Sequence, residues 1–380
     1  MNTFSLKTKV YTGPGSLDAL KGLSARSAFL VCDPFMVHSK MADLVSGPLG
    51  ERGISCRVFS EVVPDPTVQA VAKGVKAIME APPDLVVALG GGSAIDTAKA
   101  VLKIYTGGGK ERPLFVAIPT TSGTGSEVTA FSVVSDPEKA VKYPLVDEEM
   151  LPDIAILDPM LTLSVPAAVT ADTGMDVFTH ALEAYVSPQA TDFTDALAQK
   201  AIVLTCQNLP QLYRDGKDER RRERLHNASC MAGIAFNEAG LGLNHSMAHA
   251  LGGRFHIPHG RSNALLLPHV IAYNAGLMGN EGDESLRARE RYAEVAQMLS
   301  LPAANPRVGA YNLIGKVRGL LETLSFPKGI AGTGLERREF EEALPGLSRA
   351  ALEDRCTGAN PVPVTLEQIE AIYRRAYLGQ

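Results

Sequence analysis

The chain has 380 residues, 45% of them apolar and 21% charged, with no tryptophan and a formal net charge of −5. That length suffices for two ordinary domains with large cores. The mild acidity, with no Lys/Arg cluster beyond 220–222, argues against a nucleic-acid surface; this run is followed by Glu223 and Arg224 and reads as a solvated helix face. No apolar stretch reaches the ~18 residues of a membrane span, and the opening MNTFSLKTKVYTG lacks the apolar core of a signal peptide. The expectation is therefore a cytoplasmic protein with neither nucleic-acid nor membrane partners. Cys32, Cys56, Cys206, Cys230 and Cys356 are odd in number and form no CxxC pair, which suits reduced thiols rather than a disulfide framework or a thiolate zinc site.

Residues 28–32 (AFLVC) read as a buried strand. Asp65-Pro66 places an N-cap and a first-turn proline ahead of VQAVAKGVKAIM, whose apolar residues recur at helical spacing. A second strand, 85–89 (LVVAL), ends in three glycines and leads into a helix over 93–105, and 114–118 (LFVAI) is a third strand. Strands apolar throughout and separated by helices indicate a parallel sheet covered on both faces. After Pro166 helical patterns take over: 166–186, 193–208, 218–238, 243–252, 263–275, 285–299, 307–324 and 366–377. The Gly- and Pro-rich stretch 325–362 reads as surface loop broken by short helices. The chain thus divides into an α/β domain over 1–162 and an all-helical domain over 163–380.

Two loops of the α/β part carry chemistry. Gly90-Gly91-Gly92-Ser93 lies between a strand and a helix. Glycine permits close approach to a ligand, and the helix N-terminus favours a pyrophosphate. The spacing is not GxGxxG, and a tight turn with Ser93 as N-cap and Asp96 as its capping-box partner is an equal alternative. The second loop, 119–127 (PTTSGTGSE), crowds the hydroxyls of Thr120, Thr121, Ser122, Thr124 and Ser126 at another strand end, where ligands bind in open α/β sheets. Asp33, just after the first strand, is placed either to bind a ribose 2′-hydroxyl or simply to cap a turn before Pro34.

Seven of the eight histidines fall between 180 and 269, all but His38. In GMDVFTH, Asp176 and His180 share a helix face; in HSMAHALGGRFHIPHG, His245 and His249 do the same, and His259 follows at that helix's end or the next one's start. One carboxylate with several imidazoles suits Fe²⁺, Zn²⁺ or another divalent first-row ion, and neither copper(I) nor an iron–sulfur cluster. His38, His226, His256 and His269 have no such partner and read as ordinary surface or core residues.

Taken together, GGGSAID, PTTSGTGSE, GMDVFTHALEAY, NHSMAHALGGRFHIPHGRSNALLLPHV and the late CTGANP segment resemble the iron-containing (group III) alcohol dehydrogenases, over about residues 4–378. The opening MNTFSLKTKVYTGPGSL resembles the 1-propanol dehydrogenase subgroup of short-chain aldehyde reductases. The resemblance implies the dehydroquinate-synthase-like fold, a dinucleotide-binding α/β domain plus a helical domain with the site in the cleft between them. It implies Fe²⁺ (Zn²⁺ or another divalent ion being alternatives) on Asp176, His180, His245 and His259, with His249 a non-ligand proton relay. It implies NAD(H) held by Gly91, Gly92, Ser93 and Asp96 at the pyrophosphate, by Thr120, Thr121 and Thr124 along its length, by Lys142 at the ribose, and by Asp65, where relatives often carry Asn, at the adenosine half. Asp33 would select NAD over NADP. A homo-oligomer, and association with a bacterial microcompartment, are implied in the same way.

The expected activity is reduction of a short-chain aldehyde such as propionaldehyde to its primary alcohol. An anionic aldehyde such as sulfoacetaldehyde is an alternative if Arg254 faces the substrate. Phe131, Val133, Phe178, Phe236 and Phe255 are candidate pocket residues, and Cys356, near the substrate mouth in relatives, is not expected to act as a nucleophile. A polyol dehydrogenase or lyase on the same fold, and a non-catalytic microcompartment protein, are rival readings.

Overall fold

The computed structural model describes residues 3–137 and 141–380, with the side chains of Val141 and Lys142 excluded. It contains two compact units, Met1–Val165 with Gly216–Asn237, and Pro166–Asp215 with Glu238–Gln380.

The first unit is built on six parallel strands: β1 (Lys9–Thr12), β2 (Ser27–Cys32), β3 (Ser55–Phe59), β4 (Leu85–Gly90), β5 (Leu114–Pro119) and β8 (Ile154–Leu157), in the order β1-β8-β5-β4-β2-β3. Successive residues of the central strands feed opposite cores. Phe29, Val31, Val86, Ala88, Phe115 and Ala117 pack on one face; Leu30, Cys32, Val87, Leu89, Val116 and Ile118 pack on the other. Burial on both faces is why these three strands read as unbroken apolar runs. The edge strands β1 (KVYT) and β3 (SCRVF) are partly exposed and carry no such run. An antiparallel hairpin, β6 (Phe131–Asp136) with β7 (Val141–Val146), completes the strands.

Around the sheet run α1 (Pro34–His38), α2 (Asp43–Glu51), α3 (Val68–Glu80) and α4 (Gly92–Gly107). Two helix starts differ from expectation. The N-cap of α3 is Thr67, whose hydroxyl accepts from Ala70 N at 3.1 Å, and Asp65 sits ahead of it in a left-handed turn at φ 51°. A residue before proline is pushed out of the helical region, and Asp tolerates the left-handed one. The N-cap of α4 is Gly91, with no side-chain cap, so Ser93 lies inside the first turn instead of capping it. From β2 the chain moves to β3 on one side, and from β4 to β5 on the other, so the strand order reverses between β2 and β4. Open sheets of this kind bind ligands at the carboxyl ends of the two strands flanking that point.

The second unit holds α5 (Ala167–Val186), α6 (Asp192–Arg214), α8 (Leu243–Phe255), α9 (His259–Asn274), α10 (Asp283–Met298), α11 (Pro306–Thr323), α12 (Arg337–Glu353) and α13 (Leu366–Leu378). Nearly every residue of α5 beyond its first turn is buried, packed on α6 and α9. Gly174 lets Leu209 of α6 sit against the α5 backbone. Helix α12 lies where loop was expected. Phe340, Leu344, Leu347 and Ala351 recur at helical spacing on its buried side, while Pro345-Gly346 in its middle masks that period in the sequence.

A third difference concerns α7 (Glu219–Ala239), expected with the helical domain: its residues through Asn237 belong to the first unit. Its ties are specific. Asn227 Oδ1 accepts from Thr12 at 2.5 Å, His226 Nδ1 pairs with Ser122 Oγ at 3.0 Å, and Asn237 Oδ1 accepts from Ala130 N at 2.8 Å. Arg222, expected on a solvated face, is only 1% exposed. Its guanidinium donates to Gly216 O at 2.8 Å and Val165 O at 3.0 Å, the residues where the chain re-enters and leaves this unit.

The backbones of α7 and the 119–127 loop touch at Gly233 and Gly125. A Cβ on Gly233 would lie 2.9 Å from both Gly125 Cα and Gly125 O. Backbone cannot yield as a flexible side chain can, so Gly233→Ala should lower stability by about 1–3 kcal/mol. Urea unfolding at unchanged m-value checks this, and an unshifted midpoint would show that the contact is slack.

Candidate metal and cofactor site

The second unit gathers the expected ligands. Helix α5 presents Asp176 and His180 one turn apart, α8 presents His245, and His259 opens α9 directly after Pro258. Asp176 Oδ1 lies 3.9 Å from His180 Nε2, 3.6 Å from His245 Nε2 and 3.5 Å from His259 Nε2. One donor atom from each of the four falls within 4.8 Å of all the others. The side chains of Asp176, His180 and His245 are at most 5% exposed, whereas that of His259 is 37% exposed, so the cluster is closed behind and open beside His259. Such a set, with one open side, suits a catalytic rather than a structural ion.

The electrostatics point the same way. Burial alone would raise the Asp176 carboxyl, but His180, His259 and His245 outweigh it and hold it far below the usual carboxylate range. Burial would lower His245, yet Glu183 and Asp176 push it up to about 9. In the absence of a cation this carboxylate-rich pocket retains a proton; a divalent ion supplies the charge instead.

Three residues that sequence reasoning passed over bond to the ligands or to one another, and one of them, Asn263, has its Nδ2 3.1 Å from both His245 Nε2 and His259 Nε2. Glu183, three residues after His180 on α5, accepts a hydrogen bond from His245 Nδ1, which leaves His245 Nε2 as the lone-pair donor facing Asp176. The same carboxylate accepts from Asn244 N at 2.8 Å, capping the first turn of α8. Asn263 Nδ2 donates to Asp176 Oδ1 at 2.7 Å and is itself fixed by Asn244, which donates to Asn263 Oδ1 at 2.9 Å.

His249 stands outside the four donors. It shares the α8 face with His245, and its ring stacks on that of His259 with centroids 5.4 Å apart. Its Nδ1 donates to Asp354 Oδ2 at 2.9 Å. Burial would raise the Asp354 carboxyl, but His249 brings it down to about 2, and Asp354 Oδ1 also accepts from Cys356 N at 2.8 Å. The other histidines lie apart: His256 is the left-handed C-cap of α8, His38 ends α1, and burial pushes His226 and His269 each down to about 4.

The first unit carries the expected dinucleotide residues at the carboxyl ends of β2, β4 and β5. Asp33 follows β2 and caps α1, its Oδ1 accepting from Met36 N at 3.1 Å, while Oδ2 faces Gly90. Gly91 and Gly92 turn into α4 beneath the 119–127 loop. A Cβ on Gly91 would lie 3.1 Å from Thr121 Oγ1, and one on Gly92 2.6 Å from Thr124 Cγ2. The glycines, Thr121 and Thr124 therefore form one cradle around an uncapped helix N-terminus, which fits a pyrophosphate. Thr120 stands beside it, its N–H donating to Gly90 O at 2.9 Å.

Asp96 points away from the cradle mouth. Its carboxylate accepts from Ser126 Oγ at 2.6 Å and Val133 N at 3.0 Å. The adjacent buried Lys99 donates to Ser126 Oγ, Thr129 Oγ1 and Phe131 O at 2.8, 3.2 and 2.7 Å, burial bringing its ammonium down to about 8. These two side chains anchor the threonine loop. Lys142 falls in β7, its side chain outside the described residues. Of the aromatic candidates, Phe178 is wholly buried, and Phe236 is buried with its ring edge-on to Phe131 at 6.2 Å. Arg254 is exposed and stacks over Phe255 at 5.7 Å.

Comparison with known proteins agrees with this geometry. The iron-containing alcohol dehydrogenase profile matches residues 7–159, and the C-terminal profile of the Fe-containing alcohol dehydrogenase family matches 170–377. The chain belongs to the iron-containing alcohol dehydrogenase family. It is 46% identical to the 1-propanol dehydrogenase of Salmonella typhimurium, over 98% of this chain and 99% of that protein. It is 38% identical to the NADPH-dependent butanol dehydrogenase of Clostridium saccharobutylicum, over 100% of this chain and 99% of that one. Among solved structures, the iron-containing alcohol dehydrogenase of Thermococcus thioreducens superposes with a TM-score of 0.91 at 34% identity, covering 100% of both chains. The protein is thus an oxidoreductase of the NAD(H)- and Fe²⁺-dependent alcohol dehydrogenase class.

Replacing Glu183 by Gln leaves the ligands in place but removes the carboxylate that orients His245. Metal affinity should fall by roughly 10–100-fold, read by competition with a chelator; unchanged affinity would mean that His245 needs no such support.

Proposed function

We propose that this protein reduces short, uncharged aldehydes, propionaldehyde and acetaldehyde foremost, to primary alcohols with NADH. The observation that carries the reading is the division of the histidines: three of them converge with Asp176, and the fourth, His249, pairs with a carboxylate of its own. The similarity to a 1-propanol dehydrogenase and a butanol dehydrogenase supports the choice of aldehyde.

Asp176, His180, His245 and His259 would hold the metal, and the glycine cradle with Thr120, Thr121 and Thr124 would hold the dinucleotide. When bound, the metal supplies a Lewis acid for the carbonyl oxygen and the nicotinamide supplies hydride. The chain's own residues do the rest. Asp354 holds the proton on His249 Nδ1, so that Nε2 is the nitrogen that carries a proton toward the nascent alkoxide. Asp33, with Oδ2 facing Gly90, would accept from a ribose 2′-hydroxyl and repel a 2′-phosphate. Ser93 would back the pyrophosphate from the first turn of α4, Asp96 acts by anchoring the loop, and the family resemblance supports Asp65 at the adenosine half and Lys142 at the ribose. That resemblance also favours a homo-oligomer in the cytoplasm, associated with a microcompartment.

A second reading has one specific support. Arg254 is exposed and has no ion-pair partner among the described residues, and a sulfoacetaldehyde reductase of Bifidobacterium kashiwanohense, solved with NAD+, superposes with a TM-score of 0.86 at 26% identity over 99% of both chains. An anionic aldehyde is the substrate that this arginine would favour.

NADH consumption by anaerobically Fe²⁺-loaded enzyme, with acetaldehyde, propionaldehyde, lactaldehyde, sulfoacetaldehyde and glyoxal, decides between them. Propionaldehyde or acetaldehyde should give the highest kcat/KM; a preference for sulfoacetaldehyde would transfer the reading to Arg254, and no oxidation with any aldehyde would refute both. His249→Ala should keep its metal while turnover falls by about 10²–10⁴-fold; loss of metal would instead make His249 a ligand. Asp33→Gly should narrow the preference for NADH over NADPH, and an unmoved ratio would remove Asp33 from the ribose.

A further inference from the structure

One cluster of ligating side chains is left over after the catalytic donors are assigned. A ring nitrogen of His249, an Asp354 oxygen and the Cys356 sulfur all lie within 4.8 Å of one another. Asp354 and Cys356 sit two residues apart at the turn into the short helix Arg355–Ala359, and α8 brings His249 to them across 105 residues of sequence. Asp354 is the hub, bonded to His249 Nδ1 at 2.9 Å and to the Cys356 backbone N–H at 2.8 Å. The side chains of His249 and Asp354 are 23% and 15% exposed, so an ion can reach them.

The geometry points to a second metal site here, formed by His249 Nδ1, Asp354 and Cys356, that takes Zn²⁺ and switches the enzyme off. One imidazole, one carboxylate and one thiolate, with a fourth position left to water, is a ligand number and chemistry that zinc accepts. The two sites differ in softness. The catalytic set offers no sulfur, whereas this one does, and sulfur favours zinc over iron or magnesium. Charge also suits the site: Zn²⁺ with one carboxylate and one thiolate is neutral, so binding cancels the negative charge that Asp354 carries alone. On binding, the Cys356 thiol gives its proton to solvent. As Nδ1 takes the metal it gives up its hydrogen bond to Asp354. Asp354 then no longer orients the ring through Nδ1, and His249 loses the arrangement that aims Nε2 at the substrate. The inhibition rests on the role of His249 given above; the binding itself does not.

The experiment uses the intact enzyme loaded with one equivalent of Fe²⁺, titrated first with Co²⁺ as a spectroscopic stand-in and then with Zn²⁺. A second equivalent of Co²⁺ should bring a near-ultraviolet thiolate-to-cobalt charge-transfer band that Cys356→Ser lacks, with the bound iron unchanged. Zn²⁺ should abolish NADH oxidation by the wild type, and the half-inhibiting concentration, read against each protein's own activity without zinc, should rise on the order of tenfold in Cys356→Ser. A single equivalent of bound metal, or a cobalt spectrum without a thiolate band, would overturn the site. Band and second equivalent with full activity retained would uphold the site and refute instead the proton role of His249. Zinc inhibition equal in both proteins, accompanied by iron release, would show that zinc acts only by displacing the catalytic ion. Should Cys356→Ser fold poorly, Cys356→Ala serves the same comparison, and the wild-type spectrum stands by itself.

Discussion

A carboxylate 3% exposed, surrounded by three imidazoles whose nitrogens converge on it, is the constraint around which the second unit is organised. Removing Asp176 from water is costly unless a cation accompanies it. Everything nearby serves to make that placement tolerable. Helix α5 is buried along most of its length and so holds Asp176 and His180 rigidly. Glu183 on the same helix fixes the ring of His245, and Asn263 donates to the carboxylate oxygen that faces the imidazoles. Gly260, next to His259, lies against the backbone of Asp172, where any Cβ would collide, so α9 starts hard against α5. The metal site is therefore built from helix packing and not from loop ligands, which is how a site of this kind keeps its geometry through turnover.

The first unit solves a different problem with the same economy. A helix N-terminus at the strand-order reversal must stay bare to receive an anion, so α4 begins at Gly91-Gly92 without a side-chain cap. The threonine loop that closes over it would be mobile if held by its own turns alone. Asp96 and Lys99 fasten it to α4 and Gly233 presses it from α7. A buried ammonium and a buried carboxylate are expensive groups to place in a core; here each bonds to Ser126 of the loop and to the segment 129–133 that follows it, which fixes where the loop stands.

How much of this was legible in the sequence depended on distance along the chain. The three central strands were readable because both of their faces are buried, and Asp176, His180, His245 and His249 because helical spacing is local. Strands β1, β3 and β8 escaped notice, being short and, for the first two, partly exposed, and α12 was hidden by Pro345-Gly346. Glu183, Asp354 and Asn263 could not be chosen from their neighbours. Their partners lie 62, 105 and 87 residues away, and nothing in a stretch such as HALEAY or EDRC distinguishes a supporting carboxylate from a surface one. The one available signal for Glu183 was its place three residues after His180, in the otherwise uncharged second half of the helix. The same limit explains α7 and Arg222: a run of arginines reads as solvated until Val165 and Gly216 are seen to converge on one of them.

The central claim is that the bound ion takes one carboxylate and three imidazoles. X-ray absorption at the iron edge, on protein reconstituted anaerobically with one equivalent of Fe²⁺, reads that shell without reference to catalysis. The account predicts nitrogen and oxygen neighbours only, with the outer-shell scattering of about three imidazoles, as this ligand type and number require. A sulfur neighbour, or a shell with a single imidazole, would place the ion on Cys356 or elsewhere and contradict it.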